Sequence, residues 1–479
     1  MLTLIFKEMK AIFSKTLVIF SVIVISSCDD YLEPEPISFI SQEFFFADDD
    51  DLDVGILNIY DGLQGDNDQQ IVDFRSTQIE YMLTEMRSDN ARARGGGDAT
   101  SDFQQFEVYE VNTNNIIVQN YYESMYNVIF RANLILDNLD AASEARRGEF
   151  EGEAKFVRAY VYFQLVRLFG PVPMPLKVIS PDDDAAIAFT RVATDVVYAQ
   201  IIEDLQVAVE NLNNQFKTRA SKAAAQALLA KVYLTLAADG QMALYEEARL
   251  LCDEIISSGE YELMDDYGEI FTIEKNDEII FAIDYIENNE LTSQNFSWET
   301  SDLGDRRLNY TTENIRSVWD GREETVRDVR LASIIDGQFM NTKYSTNNPT
   351  GPLQSGNDWI VLRYADVLLM YVEAVLAGGS VTNNATAISY YDAVRSRAGF
   401  LLPSLSITKA ELLEERRMEL SFENQRLFDL IRFNEAINVL STHADATGGQ
   451  FQNTDLLLPI PQNERNLSGD FNMPQNPGY

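Results

Sequence analysis

Between Phe156 and Phe169 only Arg158, Gln164 and Arg167 interrupt a run of apolar and aromatic residues. At helical period these three do not share a stripe, so the predicted helix has no ordinary solvent face and belongs inside a larger body. Gly170 follows as a C-terminal cap, and Pro171, Pro173 and Pro175 turn the chain into an extended ribbon. Arginines in such a helix need carboxylate or carbonyl partners, because an unpaired buried charge is costly. Further helical periods cover 120–139, 190–212, 221–238, 245–256, 363–375 and 385–398, and a long charged helix is expected over 409–433. From Leu263 to Trp359 the period fades. Glycine, asparagine, threonine and aromatics rise there, and short strand-like pieces such as DEIIFAIDYI lie among loops. The expected class is mainly α with a few short strands.

The pairing of small and aromatic residues adds detail. Alanine-rich AAAQALLAKVYLTLAA is followed by a short turn and then by tyrosine and alanine in the next helix. This resembles the close packing of tetratricopeptide (TPR)-type hairpins, and the consensus match is loose enough that the scaffold is called TPR-like.

Composition removes several function classes. A formal charge of -39 argues against a nucleic-acid partner, which needs a basic footprint. With two cysteines, Cys28 and Cys252, and one histidine, no Cys/His zinc site can be assembled, and neither a metal nor a cofactor is expected. His443 lies in STHADATGGQ and reads as an exposed loop residue; Cys252 reads as a small core residue. Asp48–Asp53 is not a calcium loop, since Val54 and Tyr60 stand where that spacing needs glycine and glutamate; capping of a helix is the better account. Gly95-Gly96-Gly97 has neither the preceding strand nor the following Gly-Lys-Ser/Thr of a phosphate loop.

The N-terminus reads as an address. Lys7, Lys10 and Lys15 precede the apolar run 16–25, too short to span a membrane, and then come Ser26, Ser27 and Cys28. The sequence Ile25–Cys28 resembles a bacterial lipobox, which implies removal of residues 1–27 and lipidation of Cys28. A proline-containing acidic tether (28–47) follows and resembles the surface-export signal of Bacteroidetes lipoproteins. The membrane is then reached through the lipid alone.

Several segments together resemble the SusD/RagB family of outer-membrane nutrient-binding lipoproteins. They are FVRAYVYFQLVRLFGPVPM (156–174), VYAQIIEDLQVAVENL (197–212), ALLAKVYL (227–234), VLRYADVLLMYVEAV (361–375), ERRMELSFENQRLFDLIRF (415–433), LLPIPQNE (457–464) and QNPGY (475–479). The resemblance implies a TPR-like helical-hairpin scaffold with a loop-rich ligand-binding half. It divides the mature chain into an N-terminal region (48–262) and a C-terminal region (263–479), the latter with a loop-rich insert at 263–359. It also implies a non-catalytic protein at the outer-membrane cell surface, which captures oligosaccharides and passes them to a SusC-like TonB-dependent transporter as its lid. Oligopeptide capture, a purely scaffolding role and a secreted glycosidase are the alternatives.

The family motifs are scaffold, and no binding residue can be carried over from them. The arginines and glutamates of 415–433 read as helix-stabilising and interhelix pairs. Sugar chemistry selects the candidates instead: aromatic faces for C–H stacking and polar groups for hydroxyls. Trp298, Trp319, Phe296 and Tyr310 supply the first kind, each with a core reading of equal weight. Asp89, Asn90, Arg92, Arg94 and Asp102, in the long polar connection 80–106, supply the second. Trp359 is expected in the core.

Overall fold

Asp48 opens the first described helix, α1 (Asp49–Gln64), its carboxylate accepting from the N–H groups of Asp50 and Asp51 at 3.0 and 3.2 Å. With Asp49, Asp50 and Asp51 in the first turn, the acidic run meets the positive end of the helix dipole and is a cap, as its spacing predicts. The structure, a computed structural model, describes residues 46–65, 76–92, 101–179, 190–288, 293–294, 296–300, 310–323, 328–334, 342–344, 354–468 and 473–479. Cys28, Arg94 and Gly95–Gly97 lie outside the described residues. The chain divides into two units, 1–47 and 48–479, and both regions expected of the mature chain fall in the second.

Part of the supposed polar connection is ordered and buried. α2 (Ser76–Thr84) ends in a tight turn at Glu85–Arg87, and β1 (Ala91–Arg92) follows. The short α3 (Gln105–Val108) leads to α4 (Ile116–Asp137) and then to α5 (Arg147–Phe169), the helix with no solvent face. α6 (Thr194–Asn211) and α4 pack on α5; α7 (Lys222–Ala238) packs on α6 and on α8 (Leu244–Ser258). The approach to α5 is close: a Cβ on Gly152 would meet Leu212 at 2.9 Å. Arg158 of α5 finds the partners burial demands, two 2.8 Å bonds to Asp204 of α6 and one to Asn133 of α4. Arg167 instead stacks between Phe163 and Phe428, 3.8 and 3.7 Å from their ring centres. Cys252 is buried and free, a core residue as expected.

The end of α5 shows why distant motifs go together. Gly170 adopts φ +70° and stops the helix. The freed carbonyl of Leu168 accepts from Leu458 N–H at 2.8 Å, and that of Phe169 from Asn476 Nδ2 at 2.9 Å. The segments 156–174, 457–464 and 475–479 therefore converge on one helix terminus.

In the C-terminal region β2 (Ile279–Ile283) is followed by α9 (Phe296–Thr300), β3 (Tyr310–Thr311), α10 (Glu313–Glu323) and α11 (Leu331–Ile334). β4 (Trp359–Arg363) pairs antiparallel with β2 and runs into α12 (Tyr364–Leu376), which packs on α8. β5 (Val381–Thr382), α13 (Ala385–Arg397) and β6 (Ile407–Thr408) lead to α14 (Lys409–Glu419). The long charged helix expected over 409–433 is in fact two, α14 and α15 (Arg426–Arg432). Between them Phe422 and Asn424 take φ of +65° and +61°, and the Glu423 carboxylate between them reaches Lys343 and Arg363 at 2.6 and 2.8 Å. α16 (Ala436–Thr447) places His443 on a buried helical face, where a loop was expected, and α17 (Gln462–Ser468) closes the sequence of helices. Among the described residues no helix is long and apolar enough to cross a membrane.

The charges of 415–433 are interhelix pairs, and most of them are buried. Arg363 bonds Glu278, Glu419 and Glu423 at 2.6–2.9 Å, while Arg330 bonds Asp328, Glu415 and Glu419 at 2.7–2.9 Å. Arg416 joins Asp366 to Asp429. Breaking one such buried pair by removing a partner costs about 3–5 kcal/mol, because the remaining charge is stranded.

Candidate ligand-binding site

Two segments more than two hundred positions apart form one edge of the site. β1 pairs antiparallel with β3, placing Ala91 opposite Thr311 and Arg92 opposite Tyr310. Thr312 ties the ribbon to the preceding turn: its Oγ1 donates to Asp89 O at 2.6 Å, and its N–H donates to Asn90 O at 2.9 Å. The turn itself rests on Glu85, which accepts from Asn90 Nδ2 at 3.2 Å. Burial pushes the Glu85 carboxyl up to about 7.

Beside this ribbon opens a cleft of about 600 Å³, lined by Asp89, Arg92, Glu107, Thr312–Asn314, Val318, Arg417, Arg426 and one face of α16 that includes Asn438, Thr442 and His443. This volume is within the range that small-molecule ligands occupy. A second hollow of about 510 Å³ adjoins it and shares Val318, Arg417, Arg426 and Val439.

Asp89 holds the floor. Arg426 grips its carboxylate in two-pronged fashion at 2.7 and 3.0 Å, and Arg417 approaches the same group at 2.9 Å while donating to Asn90 Oδ1 at 2.8 Å. Burial alone would raise the Asp89 carboxyl, but the two guanidinium groups outweigh it and hold it well below the usual carboxylate range. Burial lowers Arg417 to about 10 despite Asp89. His443 is also lowered by burial, with Asp89 opposing, which favours the uncharged ring. Its buried Nε2, like the buried Nε of Arg92, has no hydrogen-bond partner among the described residues.

The structure thus brings Asp89, Asn90, Arg92 and Tyr310 to one ribbon, and two of them, Asp89 and Arg92, line the cleft. Asn90 is buried against Arg417 and carries the turn. Asp102 lies away from the cleft lining and accepts from Gln105 Nε2 at 3.2 Å. Two of the candidate aromatics take the core reading. Phe296 packs against Tyr81, Tyr344 and Trp359 with ring centres 5.0–5.5 Å apart, and Trp359 is in the core as expected. Trp319 is 1% exposed. One residue along α10 is a turn of about 100°, so Val318 meets the cleft while Trp319 turns into the core. Trp298 is half-buried in α9. Sequence reasoning missed Arg417 and Arg426, which look like their paired neighbours, and His443, whose polar surroundings mask a buried helical position.

A mainly helical protein with a cleft at the junction of its loop-rich half defines a class, and known proteins identify it. Residues 30–234 match the family model described as "Starch-binding associating with outer membrane", and residues 264–479 match that of the SusD family. The chain belongs to the SusD/RagB family. A curated relative, the SusD-like protein P2 of Formosa agariphila, is 27% identical over 94% of this chain and 97% of its own. A solved "Laminarin binding SusD-like protein" is 26% identical with a TM-score of 0.72, covering 91% of this chain and 100% of that one. Surface glycan-binding protein A from Bacteroides thetaiotaomicron, solved in complex with laminarihexaose, has 22% identity and a TM-score of 0.72, covering 89% and 99%, and bears on the fold.

Proposed function

We propose that this protein is a non-catalytic surface binder that captures oligosaccharides in the cleft beside Arg92 and presents them to a SusC-like TonB-dependent transporter as its lid. The observation that carries the reading is the β1–β3 ribbon, which sets the early polar segment against a cleft of ligand size in a SusD/RagB scaffold. The relative that binds laminarin lends support, being similar over nearly the whole chain. Non-catalytic capture fits the chemistry of the floor: a carboxylate clamped by two arginines stays ionised and is a poor proton donor.

Lipidated Cys28 holds the body at the outer-membrane surface after removal of 1–27, and residues 28–47 act as the tether. Calorimetric titration with plant, microbial and host oligosaccharides and with oligopeptides tests capture. Saturable binding of an oligosaccharide without products is expected; turnover, or binding of peptides alone, overturns the reading. Loss of membrane association in Cys28→Ala is expected for the anchor, and retention of that variant in membranes lacking the transporter contradicts it.

A further inference from the structure

We propose that the cleft contains a subsite for an anionic group on the sugar, a carboxylate or a sulfate ester, held by Arg92, Arg417, Arg426 and His443. The inference rests on the oligosaccharide reading and names the chemical class of ligand that this cleft selects.

The first support is the charge balance of the floor. One carboxylate, Asp89, faces two guanidinium groups, and Arg92 adds a third cation to the same cleft. Of the other acids lining it, Glu313 has its own partner in Arg316 at 4.0 Å, and Glu107 is buried. In a chain of formal charge -39 the cleft lining is balanced, with three arginines against Asp89, Glu107 and Glu313.

The second support is unused hydrogen-bonding capacity. Arg417 and Arg426 donate from Nε and Nη2, leaving Nη1 of each without a partner among the described residues. Arg92 Nε and His443 Nε2 are buried and have no partner among the described residues, a state that is costly for the free protein. A carboxylate or sulfate brings several acceptor lone pairs, and guanidinium groups match planar oxyanions with two parallel bonds. The neutral imidazole donates from Nε2 in the corresponding tautomer. A neutral sugar hydroxyl offers these donors no negative charge, and its bonds to them are weaker than those of an oxyanion.

The test is calorimetric titration of the mature chain with three probes of equal length: an oligogalacturonate, a sulfated galactan oligosaccharide and a neutral galactan oligosaccharide. One acidic probe is expected to bind about tenfold or more tighter than the neutral one, in keeping with charge-assisted bonds. The two acidic arms distinguish carboxylate from sulfate. Arg92→Met narrows the ratio of acidic to neutral affinity, Arg92→Lys retains part of it, and raising salt narrows it as well. Arg92 is half-buried, and an unchanged thermal midpoint shows that each variant is folded. Neutral binding equal to or tighter than acidic binding overturns the subsite while leaving oligosaccharide capture standing. Binding of oligopeptides with no oligosaccharide of any kind overturns both.

Discussion

The interior arginines Arg363 and Arg330 and the cleft residues around Asp89 sit in clusters built from the same residue types, yet they differ in how fully their hydrogen bonds are used. Arg363 employs all three guanidinium nitrogens, on Glu278, Glu419 and Glu423 and on the Glu419 carbonyl at 2.6 Å. Arg330 is equally enclosed. At the cleft, Arg92 and His443 each keep a buried nitrogen without a partner among the described residues. The two neighbourhoods meet on α14: Arg416 turns to Asp366 and Asp429, whereas Arg417, about 100° further round the helix, turns to Asp89. Saturated charges in the interior fix which helices meet. Unsaturated ones around a cavity are what a ligand encounters.

Breaking the saturated side has the largest expected effect. Arg363→Met takes one cation from Glu278, Glu419 and Glu423, which keep only Arg397, Arg330 and Lys343 between them, and up to about 3–5 kcal/mol of stability should be lost in urea unfolding. A wild-type midpoint would show that this cluster is ornamental to the fold.

Next comes the support beneath the cleft. Burial raises the Glu85 carboxyl to about 7, so the native state holds this proton more tightly than the unfolded chain does. Its contribution to stability is complete below about pH 4.5 and is lost as pH rises toward 7. Glu85→Gln keeps an acceptor for Asn90 and removes the charge. Near pH 7.5 the variant should be more stable than wild type by up to roughly 3 kcal/mol, with the difference gone near pH 4. Unfolding curves across that range would expose a flat difference if the carboxyl titrates normally.

On the unsaturated side the effect on folding should nearly vanish. Arg92→Met changes a half-buried side chain with no ion pair among the described residues in a two-residue strand, and its unfolding free energy should move by less than about 0.5 kcal/mol. A loss comparable to that of Arg363→Met would erase the distinction between the two regions.

Much of the scaffold was legible in the chain. The apolar run of α5, its Gly170 stop, the Asp48 cap and the buried Cys252 all follow from local rules. The break at Phe422–Asn424 did not, because left-handed backbone at a buried phenylalanine is imposed by tertiary contacts of Glu423. The site was half legible. Asp89 and Arg92 stood out as polar residues in a long connection, but Trp319 and Phe296 are packed inside, since an aromatic in polar sequence still goes where its helix face points. Arg417 and Arg426 were hidden among identical neighbours, for only the fold decides which arginine faces a cavity.

His443 is the only histidine in the chain and lines the cleft, so its ring resonance in the mature, untagged protein reports this site alone. The decisive measurement is the NMR titration of that resonance with whichever oligosaccharide calorimetry finds to bind. A saturable shift of the ring signal, following the same affinity as the heat, is the predicted result. A tightly bound oligosaccharide that leaves the His443 resonance where it stood would place capture elsewhere on the protein and contradict the account.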